Sequence, residues 1–122
     1  MADIDTVLAI DLGGTNFRVG LVDQNGRLLA KDRQPTRIEE GPQVILQRII
    51  DSAQRLREGA APLRVGVASP GPLDPFEGVM LMAPNMPGWH NVRIKDTLEG
   101  ALGLPCVVDN DANLAGLGEQ RY

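Results

Sequence analysis

Two apolar runs, residues 7–10 and 17–22, are separated only by Asp11-Leu12-Gly13-Gly14-Thr15-Asn16. A connection this short makes the two runs consecutive strands joined by a tight glycine turn. Adjacent glycines let backbone come close to a neighbour where a Cβ would clash. Successive N–H groups in such a turn can point at one anion. Asp11 and Thr15 add a carboxylate and a hydroxyl at its edges. These are the parts needed to hold a nucleotide phosphate and its magnesium ion. They also describe a Gly-Gly hairpin that binds nothing.

Composition narrows the setting. At 122 residues the chain is about one domain, and it can bury about two-thirds of its unfolded surface. Its hydrophobic content of 43% is that of an ordinary globular protein. The net charge is −4, with acids and bases interspersed, which disfavours a nucleic-acid face or a polybasic membrane patch. No apolar run approaches the length of a membrane span. Asp3 and Asp5 precede the first apolar run, so the start does not read as a signal peptide. The single cysteine, Cys106, excludes an internal disulfide and a cysteine-rich metal cluster, and the expected compartment is the reducing cytoplasm. Within the apolar stretch 105–108, Cys106 reads as a small buried hydrophobe.

A third strand is expected over 28–31, after the hairpin signal Asn25-Gly26, completing an antiparallel meander. Gly41-Pro42 opens a helix with Val44, Ile45, Ile49, Ala53 and Leu56 near one face, ended by Gly59. Residues 63–68 read as a buried fourth strand after the helical crossover. A Gly/Pro-rich region over 70–88 contains a short strand or hairpin near 79–82. A short helix over 94–102, a fifth strand over 105–108 and a last helix over 112–120 follow. The order is βββαβαβα, a mixed α/β sheet with helices on its faces. In such sheets ligands lie outside the carboxyl ends of the strands. The loops 11–16, 69–74 and 109–113 would converge there if their strands are neighbours.

Asp109-Asn110-Asp111-Ala112-Asn113 crowds four polar side chains at a strand-to-helix junction. One helix cap needs one such residue, so the surplus argues for ligand contact. A carboxylate there can accept a proton from a sugar hydroxyl, and carboxamides can bridge vicinal hydroxyls. Ser69-Pro70-Gly71-Pro72-Leu73-Asp74 reads as a stiff loop of specific shape, or merely a strand terminator. Pro84-Asn85-Met86-Pro87-Gly88-Trp89 carries the only tryptophan, either a wall for a pyranose face or a core plug. The neighbouring His90 has no nucleophile or second histidine at useful spacing and reads as structural or surface.

Taken together and in order, these segments resemble the ROK family of sugar kinases, bacterial glucokinases above all. The matching residues are Asp11 to Asn16, Gly66-Val67-Ala68-Ser69-Pro70-Gly71-Pro72-Leu73-Asp74, Pro84 to Trp89, and Asn110-Asp111-Ala112-Asn113 followed by Leu117-Gly118-Glu119. The resemblance implies the actin-like ATPase (ribonuclease-H-like) fold. It implies that Asp11 lies near magnesium, and that Gly13, Gly14, Thr15 and Asn16 face the ATP phosphates. It implies that Asp111 is the catalytic base toward the sugar 6-hydroxyl. Asn85 and Asn110 would bind sugar, and Ser69, Pro70 and Gly71 would line the sugar cleft. The implied ligands are glucose, ATP and Mg²⁺, with mannose, fructose, allose and N-acetylmannosamine as alternative sugars.

The family's second lobe carries a Glu-x-Gly-His sugar motif, a cysteine-rich structural zinc motif and further nucleotide-binding segments. None occurs in this sequence, so residues 1–122 are expected to form an N-terminal lobe, with little activity alone and a tendency to self-associate into homo-oligomers. The family's repressors carry a helix-turn-helix ahead of the glycine turn, where this sequence has about ten residues, which disfavours a repressor reading. A non-catalytic sugar- or nucleotide-binding module and an actin-like interaction domain are the competing readings.

Overall fold

The computed structural model describes residues 5–83 and 86–110. Three strands, β1 (Thr6–Leu12), β2 (Asn16–Asp23) and β3 (Leu28–Pro35), form the expected antiparallel meander. Each extends beyond its apolar run, because strand pairing carries the ladder through polar residues such as Asp11, Asn16 and Asp32. A 3₁₀ turn (Ile38–Glu40) leads into α1 (Pro42–Leu56). The chain returns as β4 (Val65–Ala68), which pairs in parallel with β1.

The Gly/Pro-rich region is more ordered than its composition suggests. With the residues that follow, it forms a separate three-stranded antiparallel sheet of β5 (Leu73–Asp74), β6 (Val79–Met82) and β7 (His90–Arg93). Only the middle strand carries enough consecutive apolar residues to be legible, and β5 and β7 exist because β6 gives them a partner. Helix α2 (Ile94–Leu102) follows with the expected bounds. Strand β8 (Cys106–Asp109) then adds to β4 in parallel. The main sheet has the order β3-β2-β1-β4-β8.

One face of that sheet is closed. Leu8, Ile10 and Leu12 of β1, Phe17, Val19 and Leu21 of β2, and Val65 and Val67 of β4 share a core with both helices. Helix α1 contributes Ile45, Leu46, Ile49, Ile50 and Ala53, and α2 contributes Ile94, Leu98 and Leu102. Each buried Val, Leu, Ile or Phe side chain here contributes about 1.5–3 kcal/mol by leaving water. Val44, expected on the buried face of α1, is instead 48% exposed. Helical periodicity admits a stripe drawn on either side of Ile45, and the sheet selects the side holding Leu46 and Ile50. Arg57 Nη1 donates to Leu102 O at 2.8 Å and holds the two helices together at their C-terminal ends. Among the described residues both helices cover the same face, and the last expected helix, 112–120, lies outside them.

Trp89 is 1% exposed within this core, so it is a plug rather than an open wall. Cys106 is buried as expected, and burial pushes its thiol up to about 12, with Glu99 adding to the rise and Lys95 opposing it. His90 is exposed.

Candidate active site

Strands β1, β4 and β8 are parallel neighbours, so the loops leaving their carboxyl ends emerge along one edge of the sheet. These are the loops beginning at Gly13, Ser69 and Asn110. Arg18, Asp11, Ala68 and Asp109 are register partners across four strands just below that edge, on the face away from the helices. The expected convergence is therefore present for the described residues. Asn85 and Asp111 lie outside them.

The first loop is the hairpin turn Gly13-Gly14-Thr15. Gly13 N donates to Asn16 O at 3.1 Å. A Cβ on Gly13 would stand 2.8 Å from that same carbonyl oxygen, so the position requires glycine for space. Gly14 and Thr15 are exposed, and among the described residues their backbone N–H groups have no partner. Two free donors at a tight turn suit an anion. Asp11 lies beneath the turn and pairs with Arg18 at 3.2 Å, their side chains being 49% and 67% exposed. So open a pair contributes at most about 1 kcal/mol, and it uses only Oδ2 of the carboxylate.

The second and third loops are bound to each other. Ser69 N donates to Asp109 O at 2.8 Å. The Asn110 carboxamide donates through Nδ2 to Ser69 O at 2.9 Å and to Gly71 O at 2.6 Å. Both donors of that amide are thus committed to the loop, leaving Oδ1 as an acceptor for a ligand hydroxyl. Gly71 has φ +79°, and a Cβ there would collide with Met82 O. The loop is consequently fixed from two sides, by Asn110 and by β6. Ser69 is 2% exposed, backbone included, so it supports the loop from within rather than presenting surface.

Arg18, Thr36 and Arg48 were not singled out from sequence. Thr36 is 0% exposed between β3 and α1. Its backbone N donates to Thr15 O at 2.8 Å, and its Oγ1 donates to Gly13 O at 2.7 Å. A lone threonine after a proline carries no periodic signal that would have marked it.

The fold and the loop edge define a family, and comparison with known proteins agrees. The ROK family model matches residues 7–122, and the chain belongs to that family. Its fold is the actin-like ATPase fold of ROK sugar kinases. Among relatives, glucokinase of Thermotoga maritima is 38% identical over 95% of this chain and 37% of its own length. A putative xylose repressor from Caldicellulosiruptor is 30% identical over 98% of this chain and 31% of its own length. Among solved structures, a ROK family glucokinase from Streptomyces griseus, in complex with glucose and AMPPNP, superposes with a TM-score of 0.79 at 33% identity, covering 88% of this chain and 34% of that one. A ROK hexokinase from Thermus thermophilus gives 0.78 at 38% identity, covering 88% and 36%. The chain thus spans about a third of the length of the relatives it matches.

Proposed function

We propose that residues 1–122 form the N-terminal lobe of an ATP-dependent hexose kinase, with glucose as the leading acceptor. The observation that carries this reading is the shared edge of β1, β4 and β8. It brings a turn whose two N–H donors are free among the described residues onto the same side of the sheet as a carboxamide-pinned loop. Phosphoryl transfer demands mainly positioning and charge stabilisation, and those are what the two loops supply. The named glucokinase relatives support the same substrate class.

In this reading the Gly13–Thr15 turn receives phosphate oxygens through the Gly14 and Thr15 N–H groups. Asn110 Oδ1 accepts from a sugar hydroxyl while its Nδ2 keeps the Ser69-Pro70-Gly71 loop in shape. Asn85 is assigned to the sugar by family resemblance. Asp111, next in sequence to Asn110, takes the proton from the 6-hydroxyl as general base, a role contributing about 10²–10⁴ in rate.

Asp11 fits a magnesium ion: it offers a hard oxygen donor, half-exposed, with Oδ1 outside the Arg18 pair. When bound, magnesium would neutralise charge on the ATP phosphates. Arg18, beside Asp11, keeps a positive charge near the same turn. A structural zinc is assigned, by family resemblance alone, to segments outside residues 1–122.

The test is ATP-dependent phosphorylation of a hexose panel by the full-length protein, with Asp111→Asn as control. Glucose should be the best acceptor, and Asp111→Asn should lower kcat by about 10²–10⁴. Turnover that survives this substitution removes Asp111 as the base, and inertness toward every hexose removes the kinase reading.

A further inference from the structure

Thr36 belongs to no motif, yet it is fully buried and makes two hydrogen bonds to the phosphate turn, 21 and 23 residues away in sequence (36 − 15 and 36 − 13). Behind it stands Arg48 of α1. Its Nη1 donates to Thr36 O at 2.7 Å, and its Nη2 donates to Pro35 O at 2.6 Å and to Gln34 Oε1 at 3.0 Å. The guanidinium also lies 5.2 Å from the ring centroid of Phe17, the residue that follows the turn into β2. Phe17 is 0% exposed, so Arg48 is gripped by the core on one side and grips the strand end on the other. Arg37, immediately after Thr36, has φ 58°, a left-handed step that few non-glycine residues adopt. The chain accepts that step where it leaves β3, and Thr36 remains aimed at the turn.

This arrangement has a directional effect. A peptide unit is planar and trans, so the C=O of one residue and the N–H of the next point in opposite directions. The Gly13 carbonyl is drawn inward by the Thr36 hydroxyl. The Gly14 N–H of that same peptide must therefore face outward, away from Thr36. Two glycines in succession would otherwise let this peptide flip at little cost.

We infer that Thr36, backed by Arg48, is a positioning device that presets the Gly13–Thr15 turn for phosphate, holding the Gly14 N–H toward the anion before nucleotide arrives. The inference rests on the reading of that turn as the nucleotide phosphate site. It assigns Thr36 no contact with substrate. Its effect falls on the nucleotide side of the reaction and spares the sugar side, which Asn110 holds independently.

The experiment compares Thr36→Val, which keeps shape but loses the hydroxyl, with Thr36→Ser, which keeps the donor. In the full-length protein Thr36→Val should raise KM for ATP at least tenfold with KM for sugar unchanged within twofold. Thr36→Ser should restore the ATP value to within about threefold of wild type. Arg48→Met should move in the direction of Thr36→Val. An unchanged KM for ATP, an equal rise in both KM values, or a loss in Thr36→Ser as large as in Thr36→Val overturns the inference. Hydrogen exchange at the Gly13 N–H, read without ligand, should accelerate in Thr36→Val while core amides of β1 stay protected. Unchanged exchange there also overturns it. If the wild-type protein phosphorylates no hexose, the function fails separately. The positioning role is then decided by AMPPNP: a Kd raised at least tenfold in Thr36→Val supports it, and an unchanged Kd or no binding to wild type overturns it.

Discussion

The turn after β1 and the loop after β4 stand at the same edge of one sheet, and both depend on glycine, yet they are held by opposite means. The turn is held from behind. Thr36 fixes its carbonyls from the buried side, Arg48 braces Thr36 in turn, and the exposed N–H groups stay free among the described residues. The loop after β4 is held from the front. Asn110, itself a candidate ligand-binding residue, donates to Ser69 O and Gly71 O. A turn that offers backbone donors to an anion must be braced by groups that compete for its carbonyls only. A loop that shapes a cleft can be braced by the residue that also meets the ligand. The first design separates support from recognition, and the second combines them.

Substitution at the two glycines gives the largest expected contrast. At Gly71 alanine meets both a positive φ and the Met82 carbonyl, and should cost about 1–3 kcal/mol or more. At Gly13, which lacks a positive φ, alanine meets only the Asn16 carbonyl at 2.8 Å. Urea denaturation should therefore rank Gly71→Ala as the more damaging. The reverse order would mean that the turn, not the loop, is the stiffer element.

Asn110→Ala should cost about 1–2 kcal/mol for its two hydrogen bonds. In the proposed kinase it should also raise KM for sugar about tenfold, equivalent to about 1.4 kcal/mol, while KM for ATP holds. Steady-state kinetics with each substrate varied in turn checks this. A rise in the ATP value alone would merge the two loops into one unit.

The smallest effect concerns the brace strand itself. Asp32 of β3 accepts hydrogen bonds from Gln34 and Ser52 and an ion pair from Arg55, which hold its carboxyl below the ordinary 3.8. A depressed carboxyl contributes stability above about pH 4 and loses it as pH falls through the folded-state value. Asp32→Asn should be less stable than wild type by about 1 kcal/mol at neutral pH, and the gap should close as pH falls below the ordinary carboxyl value of 3.8 and the Asp32 carboxylate is protonated. Thermal melts at several pH values decide this. A gap that persists in acid would show that packing, not charge, ties β3 to α1.

Much of the local structure was legible because its causes are local. Asn25-Gly26 and Gly13-Gly14 marked both hairpins of the meander, Gly41-Pro42 marked the start of α1, and the bounds of α2 were read directly. The small sheet was legible only at β6, because Leu73-Asp74 and His90–Arg93 carry no strand pattern of their own and gain one by pairing. Val44 was misplaced because periodicity fixes a stripe's spacing but not which flank the sheet will cover.

The sequence by itself determined the glycine turn, the stiff proline loop and the polar strand end, since each is a property of a few adjacent residues. Tertiary structure alone decided that these three meet. The parallel neighbours β1, β4 and β8 are joined through crossovers, and no short-range pattern specifies which strands will pair. It alone decided that the Asn110 amide turns onto Ser69 and Gly71, 41 and 39 residues away, and that the Thr36 hydroxyl turns onto Gly13, 23 residues away. Hydrogen bonds over such separations form only after the apolar core has brought the partners together, because the core supplies the free energy that offsets the entropy of closing those loops.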